Sequence, residues 1–441
     1  MFAQYIAQKA YYLSIIITYM EKQQLKTVLL EQKTEITELL KTKITERDRE
    51  SEAKKALKNN LIKVLIGVRR CGKSFLAHQI LQGVEYGYVN FDDERFVGAK
   101  AEDLNDFLEA VNEISPEAKH LLLDEAQNVD GWELFANRLK RSGYNLVITG
   151  SNAKLLSQEL ATHLTGRHVS IELFPFSFKE FLKRKDMRFS ANDLYLTKNR
   201  AAIKKVLEEY MEQGGFPELF SVENKKRYLR DLYDKIISRD IMPRHKVRFG
   251  KELKELAVYL FSNFGSRFTY RKLKNIFEIK SSHTVKNYVN YLEEAYLIFE
   301  ILPFSFKLKE QIKSARKIYC IDNGLINAIS FQNSPNAGRM MENLVFLNLK
   351  MQKKEVYFYL NKSGGEVDFI IRENKKAAEL IQVCFDLKNL ETKERELSAL
   401  VKSGEELNCG NLTVITWDDG GDEVYNNKII KFIPLWKWLM E

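Results

Sequence analysis

Apolar positions along the chain follow two rhythms. From Lys22 to about Asn60, Leu25, Val28, Leu29, Ile36, Leu39 and Leu40 recur at spacings near three and four in a charged background, which predicts an amphipathic helix. Short, nearly continuous apolar runs follow: LIKVLIG from Leu61, YGYVNFDD from Tyr86, HLLLDEA from His120 and YNLVITGSN from Tyr144. Such runs read as buried parallel strands. Helical stretches alternate with them, so the pattern predicts βαβ units and an α/β fold. From Asp193 to about Asn263 the rhythm is almost wholly helical. Between Lys251 and Asp322 the order is helix, helix, helix, then strands. From Glu342 onward it reads as a helix, several strands, a helix and a final strand, LTVITW from Leu412.

Composition adds bounds to that pattern. The 441 residues suggest about three domains. At 45% hydrophobic and 29% charged, the chain is folded material and not a disordered polymer. The net charge of +9 permits an anionic partner such as nucleic acid. Cys71, Cys320, Cys384 and Cys409 lie far apart with no Cys-x-x-Cys pair. That excludes a recognisable zinc finger, argues against a secreted disulfide scaffold and points to a reducing cytoplasm. The segment Phe2–Met20 contains Gln4, Gln8 and Lys9. Its apolar core is shorter than the ~20 residues a membrane span needs. It is read as an extension, with Met20 as a natural alternative start, and no membrane partner is expected.

One segment specifies chemistry directly. Gly67-Val68-Arg69-Arg70-Cys71-Gly72-Lys73-Ser74, followed by Phe75, fits G-x-x-x-x-G-K-[ST] between an expected strand and an expected helix. Glycines let backbone N–H groups turn toward phosphate oxygens, and the helix N-terminus adds its positive dipole end. Lys73 is expected on the β- and γ-phosphates of ATP, and the Ser74 hydroxyl on Mg2+. Cys71 reads as a small residue filling a variable position. Further along, Leu121-Leu122-Leu123-Asp124-Glu125 delivers two carboxylates at the carboxyl end of a strand, the edge where open parallel sheets bind ligands. Asp124 is expected to hold Mg2+ through water and Glu125 to orient the attacking water. Thr149-Gly150-Ser151-Asn152 ends the next run. Asn152, or Ser151, is placed between the γ-phosphate and that water, although Gly-Ser-Asn is also good turn chemistry. Arg167 is a candidate arginine finger toward a neighbouring subunit or, equally, an exposed loop residue.

With those motifs in place the chain resembles the archaeal-type AAA+ superfamily ATPases that carry a C-terminal domain of unknown function. The resemblance rests on GVRRCGKS, LLLDEAQ, ITGSNAKLL, LTGR, IELFPFSFKEFL, Gly214-Gly215-Phe216-Pro217-Glu218, DLYDKIISRDI and Asp322-Asn323-Gly324. It covers about Met20 to Glu441. It implies ATP binding, a P-loop NTPase fold of AAA+ type and a domain order.

Two further modules are expected. ELAVYLFSNF, TYRKLKNIF and SSHTVKNYVNYLEEAYLI give three helices, with Ser281 or Ser282 capping the third, and FEILPFS and KIYCID follow as strands. That order matches a winged helix, whose third helix can enter a major groove. Ser282, His283, Thr284, Lys286 and Asn287 are then candidate base contacts, and Arg267, Arg271, Lys272, Lys274 and Lys280 candidate phosphate contacts. Winged helices also dock proteins. The C-terminal lobe resembles a PD-(D/E)XK nuclease core, with Glu342 on a helix and Asp368 on a strand. Gln382-x-Cys384 replaces the acid and lysine such a core needs, and Lys388 is a poor substitute. A degenerate, silent lobe is expected.

The expected plan is an extension at 1–21, an ATPase domain at 22–190, a helical lid at 191–250, a winged helix at 251–330 and a nuclease-like α/β domain at 331–441. The expected function is a Mg2+-dependent ATPase switch that presents its modules to a partner protein or DNA, with self-association an open option. Rivals are an ATP-gated DNA-cutting enzyme and a non-hydrolysing ATP-bound scaffold.

Overall fold

The computed structural model describes residues 22–151, 167–190, 192–331 and 336–441. The extension 1–21 and Asn152 lie outside the described residues. Two units divide the chain: Met1–Gly67 with Gly72–Leu173, and Val68–Cys71 with Phe174–Glu441. Among the described residues no helix is long and apolar enough to cross a membrane.

In the first unit the four apolar runs form β1 (Ile62–Ile66), β2 (Tyr86–Asn90), β3 (His120–Asp124) and β4 (Asn145–Gly150), and a fifth strand that the residue pattern did not announce, β5 (His168–Glu172), joins them. They pair in parallel in the order β2-β3-β4-β1-β5. All five residues of β1 are buried, as a strand covered on both faces requires. Leu104, Phe107 and Val111 of one helix and Trp132, Phe135 and Leu139 of another pack on the sheet with Val64, Val89, Leu121 and Ile148. Gly87 in mid-strand is explained by that closeness. A Cβ there would lie 2.2 Å from Val111 Cγ1 and 2.7 Å from Leu121 Cδ2.

The single helix expected from Lys22 to Asn60 is two helices, 22–40 and Glu50–Leu57. The intervening segment has β-branched Thr42, Ile44 and Thr45 and no apolar stripe. Leu29 and Ile36 are buried, whereas Leu39 is exposed. Gln32, a polar residue absent from the apolar stripe, is buried. Its Oε1 accepts the Asn90 N–H (3.0 Å) and its Nε2 donates to Asn90 O (3.1 Å) at the end of β2.

The second unit opens with helices, among them Thr197–Gln213 and Lys225–Lys235. Then come helices Gly250–Ser262, Tyr270–Ile276 and Ser282–Glu294 with a three-stranded antiparallel sheet, β6 (Arg267–Phe268), β7 (Ile298–Ile301) and β8 (Arg316–Cys320), ordered β6-β8-β7. Ser281, not Ser282, caps the third helix, accepting the His283 N–H at 3.1 Å. A six-stranded sheet follows: β9 (Glu355–Leu360), β10 (Glu366–Glu373), β11 (Lys376–Cys384), β12 (Leu412–Thr416), β13 (Gly421–Tyr425) and β14 (Lys428–Pro434). Its order is β13-β14-β12-β11-β10-β9. The expected last strand, β12, is therefore not the last. β13 and β14 form a hairpin, and β14 also pairs with β12 in parallel. Asn426 and Asn427, both at positive φ, make its turn, a signal the residue pattern contained.

A buried histidine in the first unit gives a test of this packing. His78 Nδ1 lies 2.7 Å from the Tyr86 hydroxyl, and its ring meets Tyr88 edge-on at 4.7 Å. Nε2 has no hydrogen-bond partner among the described residues. Burial pushes the imidazole pKa down to about 4. As pH falls from about 6.5 to about 4 the unfolded chain takes up this proton first, so His78 costs stability across that window, up to about 3 kcal/mol. Urea unfolding of wild type and His78→Gln at pH 7 and pH 4.5 should show a loss on acidification about 2 kcal/mol smaller in the variant. Equal losses would remove His78 as a source of acid sensitivity.

Candidate functional site

The phosphate-loop motif connects β1 to the helix Lys73–Ile80. Its backbone reverses at Gly67 (φ 152°), Arg70 (φ 66°) and Gly72 (φ 99°). Val68 and Cys71 are fully buried, so Cys71 fills space, as expected of it. Within the second unit, Arg69 pairs with Asp240 (3.2 Å) and Arg70 with Glu218 (2.9 Å). Phe75 is half-buried in the first turn of the helix.

In the first unit the sheet order sets the rest of the site. β4 lies between β1 and β3, so the carboxyl ends of all three are neighbours. Asp124, 3% exposed, ends β3. Its Oδ1 accepts hydrogen bonds from Ser74 Oγ (2.9 Å) and from Thr149 Oγ1 at the end of β4. The Tyr88 hydroxyl stands 3.5 Å from Oδ2. Burial, then the charge of Glu125, pushes the Asp124 carboxyl up to about 6, while the Thr149 and Ser74 hydroxyls and Lys73 oppose the rise.

Glu125 takes a left-handed conformation (φ 49°, ψ 44°), uncommon for a residue with a side chain. Its N–H donates to Thr149 Oγ1 (3.0 Å), its Oε1 lies 3.5 Å from Lys73 Nζ, and its Oε2 accepts from Gln127 Nε2. Gln127 Nε2 is also 3.5 Å from Ser151 Oγ. Lys73, Ser74, Asp124 and Glu125 are thus brought together. Arg167 is exposed, and its carbonyl accepts from Ile62 N (3.0 Å) and Lys140 Nζ (3.3 Å). Thr149 and Gln127 were not singled out from sequence. The signal for Thr149 was its place as the last polar side chain of an apolar strand beside β3. A hydroxyl and a buried carboxylate are hard oxygen donors of the kind Mg2+ takes, so the residues present fit that ion.

In the second unit the structure brings Glu342 and Asp368 together, and adds Lys317 from β8, 2.7 Å from Glu342 Oε1 and 3.2 Å from Asp368 Oδ1. Gln382 Oε1 accepts the Asp368 N–H (3.3 Å). Cys384 is buried with its Sγ against Asp386 O, and Lys388 is exposed. On the helix Ser282–Glu294, Ser282, His283 and Lys286 are exposed, and Thr284 and Asn287 half-buried. Arg271, Lys272 and Lys280 are exposed and Lys274 half-buried, whereas Arg267 pairs with Glu366 at 3.2 Å.

Comparison with known proteins gives three matches to family models. Residues 59–182 match an AAA domain, residues 204–336 a domain of unknown function (DUF8612) and residues 337–438 a domain of unknown function (DUF4143). An uncharacterized protein of Methanocaldococcus jannaschii is 40% identical over 418 residues, spanning 90% of this chain and 91% of its own. An uncharacterized protein of Haemophilus influenzae is 33% identical over 348 residues, spanning 74% and 83%. Among solved structures, the Walker-type ATPase PABY2304 of Pyrococcus abyssi aligns over 65% of this chain and 96% of its own, at 13% identity and a TM-score of 0.41. The ORC1 protein of Aeropyrum pernix in complex with DNA aligns over 64% and 92%, at 12% identity and a TM-score of 0.30.

Thr149 joins the two carboxylate positions through one hydroxyl. Thr149→Val keeps its shape, removes the donor to Asp124 and leaves the Glu125 N–H unanswered. Chemical denaturation followed in the first unit should show a loss of about 1–3 kcal/mol. A change below about 0.5 kcal/mol would mean that water or a neighbour replaces the hydroxyl.

Proposed function

The chain belongs to the archaeal-type AAA+ superfamily ATPases that carry a C-terminal domain of unknown function, and from that membership we propose a nucleotide-dependent switch that binds and hydrolyses ATP with Mg2+. The observation that carries the reading is the convergence of Lys73, Ser74, Asp124, Glu125 and Thr149 at the carboxyl end of one parallel sheet. Gly67, Val68, Arg69, Arg70, Cys71, Gly72 and Phe75 complete the nucleotide-binding segment. Lys73 exchanges Glu125 for the β- and γ-phosphates. Ser74, and Asp124 through water, would hold Mg2+, which would supply neutralisation of phosphate charge. Once Lys73 turns to phosphate, the Glu125 carboxylate is released to orient the attacking water. Asn152 and Arg167 complete the proposed machinery, Arg167 acting on the nucleotide of a second copy.

The proposed division of the chain is the one given by the residue pattern, with boundaries near 190, 250 and 330. The helices from 251 to 294 with β6, β7 and β8 are proposed as a winged helix, and DNA as a partner. Exposed Arg271, Lys272, Lys280 and Lys286 support that choice. Four buried cysteines, none in a disulfide, support a reducing, cytoplasmic setting.

Isothermal calorimetry and phosphate release test the nucleotide reading. Lys73→Ala should lose several kcal/mol of ATP interaction, at about 1.5–3 kcal/mol per charge-assisted bond. Glu125→Gln should bind ATP and turn over at least about 10²-fold more slowly. Unchanged affinity in the first variant, or unchanged turnover in the second, sinks the assignment. Turnover per chain that does not rise with protein concentration, with Arg167→Ala neutral, removes Arg167.

Fluorescence anisotropy with a DNA duplex over a range of salt tests the second module. Wild type should bind with a clear salt slope, and Lys280→Ala/Lys286→Ala should lower that slope by about 0.9 for each phosphate the variant no longer neutralises. Binding of wild type and variant with identical slopes would take these lysines off the interface.

A further inference from the structure

The PD-(D/E)XK resemblance asks for two things of the C-terminal lobe: acidic groups free to gather a divalent cation, and a lysine beside the water that cation activates. The structure supplies the acids and uses them differently. Glu342 comes from the helix Ala337–Met351, and Glu366 and Asp368 from β10. All three converge on Lys317 Nζ, from Glu342 Oε1 at 2.7 Å, Glu366 Oε1 at 2.8 Å and Asp368 Oδ1 at 3.2 Å. The Lys317 side chain is 3% exposed. The ammonium donates hydrogen bonds to Glu342 and Asp368 and forms an ion pair with Glu366.

The three acids have further partners. Asp368 Oδ2 accepts the Val383 N–H (3.0 Å), Glu342 Oε1 accepts the Tyr319 hydroxyl (2.6 Å), and Glu366 Oε2 lies 3.2 Å from Arg267 Nε. Tyr319 is fully buried, stacked on Phe346 at 4.4 Å and near Phe369 at 5.5 Å, which makes one wall apolar. Among the described residues no group of three or more His, Cys, Asp or Glu side chains is arranged to hold a metal ion. With Lys317 Nζ at the point where the carboxylates converge, the residues do not fit the metal that a nuclease core implies.

We propose that Lys317 is the resident cation of this lobe: its ammonium fills the point where the three carboxylates meet, excludes a divalent ion from it and joins β8 to the C-terminal sheet. The charges agree. Burial works to lower the Lys317 pKa, but Glu342 and its acidic neighbours outweigh it and hold the ammonium firmly protonated. Burial, then the charge of Glu342, raises the Asp368 carboxyl to about 7. With the ammonium seated where the three carboxylates converge, a dication could enter only by displacing the lysine. The placement also crosses a family boundary. Lys317 falls in the segment 204–336, and Glu342, Glu366 and Asp368 fall in the segment 337–438. The C-terminal domain takes its cation from the domain before it. This inference does not depend on the nucleotide reading.

The test is Mn2+ binding by the full, nucleotide-free chain, followed by calorimetry and by the melting temperature, with Asp368→Asn assigning any signal to the lobe. Wild type and Asp368→Asn should respond to Mn2+ identically. Lys317→Met keeps the length of the side chain, removes the charge and leaves the carboxylates facing one another. It should melt lower without metal, gain a Mn2+-dependent rise in melting temperature and bind Mn2+ at least about tenfold more tightly than wild type. Lys317→Met/Asp368→Asn should lose that gain. If Lys317→Met does not accumulate, Lys317→Met/Glu342→Gln, with one buried carboxylate fewer, is expected to fold and to bind Mn2+ through Glu366 and Asp368. A Mn2+ response in wild type that Asp368→Asn abolishes overturns the proposal. So does a folded Lys317→Met, or folded double variant, with no added Mn2+ site.

Discussion

A carboxylate buried at the end of a parallel strand must be answered by donors, and Asp124 is answered by the hydroxyls of Ser74, Thr149 and Tyr88. None of them carries charge, so burial still raises the acid to about 6. The sheet order makes this arrangement available. With β4 between β1 and β3, Thr149 stands beside Asp124 and the helix after β1 brings Ser74 within 2.9 Å. A hydroxyl can rotate from carboxylate to metal at low cost, which a fixed cation cannot do. The same principle holds at Glu125, whose partner Lys73 sits 3.5 Å away, longer than a tight charge-assisted bond.

The acidic cluster of the second unit solves the same electrostatic problem in the opposite way. There a lysine contacts three carboxylates at 2.7 to 3.2 Å with almost no exposure. Burying ions is costly, and such a cluster is stable only while every charge keeps its partner. It therefore serves a fixed joint better than an exchangeable site. Two groups of acids in one chain read alike as motifs, yet differ in whether their partner can leave.

The sequence and the structure agree where chemistry is local in the chain. The phosphate loop and the strand bearing Asp124 each lie within one segment with a periodicity that states its structure, and four of the five parallel strands follow from the apolar runs, whereas β5, with one buried residue, carries no such run. What sequence did not disclose depends on pairings across long separations. Thr149 is neighbour to Asp124 only through the pairing of β3 with β4. Lys317 lies 51 positions from Asp368, on a strand assigned to another module, so a search for the missing lysine near Gln382 and Cys384 had no reason to reach it. β13 and β14 were missed for a different reason. Exposed hairpin strands carry polar residues on one face, and Asp422, Glu423, Lys428 and Lys431 mask their alternation.

Family motifs without reactive groups have a physical explanation as well. Gly214-Gly215 and Asp322-Asn323-Gly324 lie over a hundred positions apart and meet in the second unit. Gly215 N–H donates to Asp322 Oδ2 (2.7 Å), and Leu325 N–H to Oδ1 (2.9 Å). Gly214 sits at φ 81°, where a Cβ would lie 2.0 Å from Asp322 Oδ1, and a Cβ on Gly324 would lie 1.8 Å from Gln213 O. The Phe176 N–H donates to Gly215 O (2.7 Å), which ties in the segment IELFPFSFKEFL. Asn343 then spans Cys320 through both its N–H and its carbonyl, at 2.9 and 3.0 Å, and reaches Asn323. Three motifs thus form one buried hydrogen-bonded knot, in which glycine is required because the Asp322 carboxylate or another backbone stands where a Cβ would be. Their contacts hold a shape and supply no reactive group. A resemblance built on them therefore carries information about domain arrangement and none about substrate.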